Sequence, residues 1–426
     1  MFKKFYYGLF LVILLSLIVG CSKSTDEVSS NASSSTSVPG ITDDTITLGM
    51  LNDFSGGASF QGKGGEAGYQ AFVDYINENG GINGRKIELV SEDNQYTPAG
   101  NVNGAKKLIT LDKVFAIPYS IGTAPTVAIK DYINDEKIPV LGIGEGTEFF
   151  DPATKYLFAV GTPYSYQGAI AVRYVAETLS TNDAAKIGFM GQDDAFGKDP
   201  LKGVELAVDA YDNAELVYTA FHKRDAVDLS DQVTQLKNSG ANYLFISGNV
   251  ERVGIILKEL AKQKVELSGI FSMSLASIDK RIFEVAGNDY VDKYYGIQSF
   301  YTWDQTEQES VIEVLNILKE QGKEDVIEEK NTFFWYGWNN MAMFVKALEM
   351  SGEDLTREKI MSTLESFDNT EIFGTLPPIT YGSDKRVSGK EAFVVKAELD
   401  ANGKVVWKSV TDFMKPPQVV EETLGF

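Results

Sequence analysis

The chain has 426 residues, with 60 acidic side chains against 39 basic ones, a formal charge of −21, one histidine and one cysteine. That charge argues against nucleic acid or an anionic membrane surface as a partner. With His222 and Cys21 alone of their kind, zinc, iron–sulfur and Cys–His chemistries lack their ligands, so no metal and no cofactor is expected. A Ser–His–Asp enzyme would rest on His222, which sits in Phe221-His222-Lys223-Arg224-Asp225 and reads as a charged strand end at the surface.

At the N-terminus, Lys3 and Lys4 precede an apolar run, Leu9 to Gly20, closed by Cys21. This is the layout of a secretory leader, and the run is short of the roughly 20 residues that a membrane span needs. Ile18-Val19-Gly20-Cys21 resembles the lipobox of bacterial lipoproteins, which implies cleavage after residue 20 and lipidation of Cys21. Residues 22–37 are nearly all Ser, Thr, Asn, Asp and Glu and cannot bury enough apolar surface to order themselves. Residues 21–40 therefore read as a lipidated cysteine and flexible linker, and the domain is expected outside the cytoplasm, tethered to a bilayer.

From Ile41 the composition is globular, and the remaining length is too great for one hydrophobic core. Short apolar runs predict buried strands at Ile46–Leu51, Lys86–Ser91, Val114–Pro118, Ile138–Ile143, Lys186–Gly191, Tyr243–Ser247 and Gly269–Met273. Helical patterns separate most of them; Val250, Val253, Ile256, Leu257, Leu260 and Ala261 share one helix face. Such alternation implies α/β architecture with mostly parallel sheets, in two sets divided at Pro163. Beyond Val291 come a strand-like run, Tyr294–Thr302, long helices over 305–321 and 331–350, and short terminal strands. The aromatic run Phe333 to Trp338 opens a helix that is apolar nearly all round, which favours a core helix over a ligand cage.

Two nucleotide patterns are nearly met. Gly57 to Lys63 fits the first seven positions of a phosphate loop, but Gly64 stands where a Ser or Thr should hold magnesium. Gly62-Lys63-Gly64-Gly65-Glu66-Ala67 fits a dinucleotide fingerprint, yet lies too far beyond the first strand. What remains is a Gly-rich loop, Asp53 to Gly65, at the carboxyl end of that strand, where open parallel sheets bind ligands. The loops after the third and fourth strands are equivalent. They carry Ser120, Gly122 and Thr123, with Thr123 as a helix cap, and Gly144, Glu145, Gly146 and Thr147. Ser120, Thr123, Gly146 and Thr147 read equally as an anion cradle or as plain capping and turn chemistry.

Asn79-Gly80-Gly81-Ile82-Asn83-Gly84-Arg85-Lys86-Ile87 and Gln192-Asp193-Asp194-Ala195-Phe196-Gly197-Lys198-Asp199-Pro200-Leu201-Lys202-Gly203 resemble the branched-chain amino-acid-type substrate-binding proteins of ABC transporters. The likeness runs from about Ile46 to Tyr301 and extends to Trp407. It implies two doubly wound parallel-sheet lobes joined by a three-stranded hinge, the type I periplasmic-binding-protein-like fold. Lobe 1 would be residues 41–162 with 298–380, and lobe 2 residues 163–297 with 381–426. By the same resemblance, Ser120 matches the serine that binds a ligand carboxylate, and Gly144 with Gly146 or Thr147 the loop that meets the same zwitterion. Phe60 and Gln61 fall where an aromatic covers the ligand. Asp194, Phe196 and Asn249 face the cleft from lobe 2.

At Ser272-Met273, where amino-acid binders place an acid for the ligand ammonium, no carboxylate stands. Either Asp194 or Glu145 supplies the counter-charge, with Glu145 otherwise turned to solvent, or the ligand is not an α-amino acid. The function expected is therefore capture of a small organic ligand and delivery to a permease with a cytoplasmic ATPase, by a monomer that is no enzyme. A sensor of the same fold that signals to a membrane receptor is the alternative. A hydrolase built on Ser120 or Ser272 lacks a nearby histidine.

Overall fold

The structure, a computed structural model, describes residues 38–180, 183–273 and 278–425. The leader, Cys21 and the linker up to residue 37 lie outside them. No helix of the described residues is long and apolar enough to cross a membrane.

Two sheets organise the chain. β1 (Thr45–Asn52), β2 (Lys86–Asp93), β3 (Ala116–Ile121), β4 (Val140–Ile143) and β5 (Leu157–Ala159) pair in parallel in the order β2-β1-β3-β4-β5. β6 (Ala185–Gln192), β7 (Ala214–His222), β8 (Tyr243–Ser247), β9 (Gly269–Met273), β10 (Tyr294–Gln298), β11 (Phe393–Leu399) and β12 (Val405–Ser409) form the second, ordered β12-β11-β10-β9-β8-β6-β7. Its pairings are parallel up to β10, and β11 and β12 join antiparallel.

Most predicted strands lie within a residue or two of these. β3 does not: it runs on to Ile121, past Pro118, and its pairings with β1 and β4 both shift register there. Proline lacks the N–H that a ladder needs, and a bulge absorbs it. Ser120 is consequently a sheet residue, not a loop residue. β5 and β7 went unpredicted, the first for its length of three residues, the second because its residues are mostly half-exposed and polar at intervals. The run from Tyr294 ends as a strand at Gln298, and residues 305–321 yield a helix only from Glu309 to Glu320.

The glycines of the two nucleotide patterns have another use. Gly62, Gly64, Gly65 and Gly68 lie buried inside the helix Ser59–Glu78; Gly62 packs on Asp53 and Gly64 on the Asn331 side chain, while Gly65 and Gly68 meet the helix Phe333–Ser351. A Cβ at Gly68 would lie 1.9 Å from the Phe334 carbonyl oxygen, and one at Gly337 would lie 2.0 Å from the Gly65 carbonyl oxygen. The run is a backbone-to-backbone helix contact and not a phosphate-binding loop. Trp335 and Trp338 on the partner helix are fully buried, as the core reading expects; Trp303 meets Trp335 at 5.0 Å and Phe72 meets Trp338 at 4.9 Å.

The chain passes between the sheets three times, after β5, after β10 and before β11. The crossings are stitched together. Gly161 N donates to Ser388 Oγ at 2.7 Å, Gly389 N to Gly161 O at 3.0 Å, and Thr162 N to Ser299 Oγ at 3.2 Å, while Thr162 Oγ1 donates to Glu391 O. Gly161 has φ +109°, which side chains rarely adopt.

The helix contact yields a prediction. Gly68→Ala forces the two helices apart and lowers stability by about 1–3 kcal/mol, read as a lower urea midpoint. Gly57→Ala, where the nearest atom to the new Cβ is 4.0 Å away, leaves it nearly unchanged.

Candidate functional site

Seven parallel strands, β1 to β4 and β6 to β8, direct their carboxyl ends toward one cavity. From the first sheet come Ala58 and Gln61 after β1, Tyr96 after β2, Ile121, Gly122 and Thr123 at the end of β3, and Ile143 and Gly144 at the end of β4. From the second come Gln192 at the end of β6, Phe196 on the helix that follows, Arg224 after β7 and Asn249 after β8. Tyr164, Phe333 and Tyr336 complete the wall from two helices. Apolar walls with a few placed polar groups describe a small-molecule site.

Of the residues singled out in the sequence, Gln61, Gly122, Thr123, Gly144, Phe196 and Asn249 meet here. Thr123 is the first residue of the helix Thr123–Val127, and Gly122, not Thr123, occupies its cap position. Asn249 also caps its helix, accepting from Arg252 N at 3.0 Å.

The others lie beside or behind the wall. Ser120 is fully buried, its hydroxyl 2.8 Å from Thr126 Oγ1 and 3.4 Å from Asn101 Nδ2. Those bonds belong to the sheet and its next turn. Asp194 caps the helix Ala195–Val208 through Gly197 N at 3.0 Å, and its other oxygen accepts from Gln192 Nε2. Thr147 N donates to Asp199 Oδ2 at 3.2 Å, and Gly146 packs against the Thr123 methyl. Ser272 and Met273 are buried in β9, Met273 within the hydrophobic core of the second sheet. Phe60 lies under the Arg281 guanidinium, 3.0 Å from its ring centre, and Asp279 grips that guanidinium with two bonds of 2.9 Å.

Glu145 does not face solvent. It is 1% exposed, and Tyr336 Oη donates to its two oxygens at 2.8 and 3.0 Å. Burial pushes its carboxyl up to about 8, only partly offset by the hydroxyls of Tyr336 and Tyr164, which favour the ionised form. His222 is not at the surface either: it is 3% exposed at the end of β7, with Nδ1 3.0 Å from Lys223 O, and burial holds its pKa below the usual range.

Several wall residues escaped the sequence reading. Gln192 opens a motif that was singled out, and Phe333 and Tyr336 sit in the aromatic run read as core, so both carried a signal. Tyr96 and Arg224 carried none, because the charged run around Arg224 reads as a solvated strand end. In the fold Arg224 stacks on Tyr96, 3.6 Å from its ring centre, and its Nη1 donates to Tyr96 O at 3.0 Å. Among the described residues no group of three or more His, Cys, Asp or Glu is placed to hold a metal.

The buried acid generates a pH prediction. Because its folded pKa lies above the ordinary 4.5, its stabilising contribution is complete below about 4.5 and is lost as pH rises through about 8. Glu145→Gln should therefore flatten the decline in urea-unfolding stability between about pH 5 and pH 9, a term of at most about 5 kcal/mol. An unchanged pH profile in the variant contradicts the assignment.

Known proteins place this geometry in a family. The profile described as periplasmic binding protein matches residues 45–404. The "Amino acid binding protein" of Pseudomonas aeruginosa is 22% identical over 51% of this chain, and the aligned part spans only 58% of that relative's length. A fatty acid ABC transporter substrate-binding protein from Thermomonospora curvata superposes with TM-score 0.78 at 20% identity, over 90% of this chain and 95% of that one. A branched chain amino acid ABC transporter from Thermus thermophilus with bound valine gives TM-score 0.78 at 18% identity, over 90% and 99%. At such identities the structural likeness establishes the fold alone. The fold and the relatives are those of substrate-binding proteins and not of enzymes, and with the profile spanning most of its length, the chain belongs to the periplasmic binding protein family.

Proposed function

We propose that this chain is the extracytoplasmic binding protein of an ABC importer. It takes a small organic ligand, an amino acid or a related carboxylate, into the cavity and hands it to a permease driven by a cytoplasmic ATPase. The observation that carries this reading is a cavity whose wall is shared by the carboxyl ends of both sheets. Arg224 on Tyr96 and Arg281 on Phe60 each join a residue that follows a second-sheet strand to one that follows a first-sheet strand.

The moving bodies are residues 41–162 with 298–380 and residues 163–297 with 381–426. Ligand bound between them favours the closed form because only that form offers it both walls. The stitched crossings act as the hinge. Cys21, acylated after removal of residues 1–20, holds the protein at the membrane, and Cys21→Ser releases it from the membrane fraction without loss of ligand affinity.

The direct test is mass spectrometry of small molecules released on denaturing the purified protein. The molecule found should raise the melting temperature in proportion to the logarithm of its concentration above Kd. Recovery of a chemically altered product on long incubation would overturn the binding-protein reading. Closure gives a further prediction. Arg281→Ala removes the cation over Phe60, worth about 0.5–2 kcal/mol, and so weakens ligand binding roughly 2- to 30-fold. The same change leaves the cavity wall intact.

A further inference from the structure

The cavity wall has a charge pattern that names its ligand class. Of its fifteen residues, Arg224 is the sole one with a charged side chain, and no Asp or Glu is among them. One guanidinium N–H is given to Tyr96 O; the others have no partner among the described residues. Its face is covered by the Tyr96 ring, so the free edge is what a ligand meets. A guanidinium half-buried beside an apolar cavity with donors to spare matches a carboxylate, which it can grip with two parallel bonds.

Three acids beside the cavity are engaged elsewhere. Asp53 accepts from Gly56 N and, at 2.7 Å, from Ala58 N, which fixes the turn entering the first helix. Asp194 is bound by Gly197 N and Gln192. Glu145 is behind Tyr336 and Tyr164, and burial keeps it largely protonated near neutral pH. A ligand ammonium enclosed here would find no carboxylate in the wall to pair with, and an enclosed charge without a partner is strongly disfavoured. The remaining wall is apolar or aromatic, with Ile121, Ile143, Phe196 and Phe333, while Thr123, Gln192 and Asn249 offer neutral hydrogen-bonding groups.

Resting on the binding-protein reading, we infer that the ligand is an organic carboxylate without an ammonium group, with an aliphatic or aromatic body, held through its carboxylate by Arg224. Arg224 is thus the specificity-determining residue. Glu145 is a positioning residue that holds Tyr164 and Tyr336 in the wall and contributes no counter-charge.

The test uses matched probes that differ in one group: 4-methyl-2-oxopentanoate against leucine, phenylpyruvate against phenylalanine, and hexanoate against hexylamine, with the released native ligand added once its mass is known. Thermal shift and isothermal titration on the full mature protein at constant ionic strength read the binding. The expected result is that carboxylates lacking the ammonium bind at least tenfold tighter than their amino partners. Arg224→Gln should then weaken them ten- to a hundredfold, while its own ligand-free melting temperature stays near that of wild type. Glu145→Gln should leave the preference for the acid unchanged. Tighter binding of an amino acid or amine, or full acid affinity in Arg224→Gln, overturns the inference and leaves the binding-protein reading standing. Failure of every probe and of the released molecule to bind overturns that reading, and the inference with it.

Discussion

The architecture depends on one close approach, the backbone contact between the helices Ser59–Glu78 and Phe333–Ser351. Glycine at Gly65, Gly68 and Gly337 lets the two backbones meet where any side chain would collide with a carbonyl oxygen or a tyrosine hydroxyl. Through that contact a segment more than 250 residues downstream packs against the first sheet, and the chain must then return to the second sheet to supply β11 and β12. The third crossing is a consequence of this. So is the presence of Phe333 and Tyr336 in the cavity wall, since the residues between and beyond them, Phe334, Trp335 and Trp338, are anchored in the core.

Much of the fold was legible because buried parallel strands are apolar on both faces and stand out between amphipathic helices. Tyr243–Ser247 and Gly269–Met273 match the observed strands at both ends. Pro118 misled at β3, where a bulge carries the strand past a residue that lacks a ladder N–H. The same error placed Ser120 in a loop, when it is a residue of β3 whose hydroxyl lies 2.8 Å from Thr126 Oγ1. The glycine run shows a different limit. Glycine spacing is blind to what approaches the missing Cβ, and here it is another helix in place of a phosphate.

The site was legible where it follows from strand ends and hidden where it follows from three-dimensional charge. Thr123 and Gly144 lie just beyond strand termini and follow from topology, whereas Gln61 and Asn249 came from the resemblance. Asp194 could not be judged, since the sequence shows an acid but not that a helix N-terminus and Gln192 already hold it. Arg224 looked solvated because its neighbours Lys223 and Asp225 are charged and exposed, yet the turn after β7 folds it over Tyr96. In a chain of net charge −21, the cavity wall carries one positive group and no acid.

Closure of the two halves on the ligand is tested most directly by small-angle X-ray scattering of the mature protein. Stripped protein should give a larger radius of gyration and a curve that departs from the one calculated for this structure. Saturation with the ligand recovered from the native protein should bring the two curves into agreement. Identical scattering with and without that ligand would contradict closure, and with it the role assigned to the arginine–aromatic contacts between the two halves.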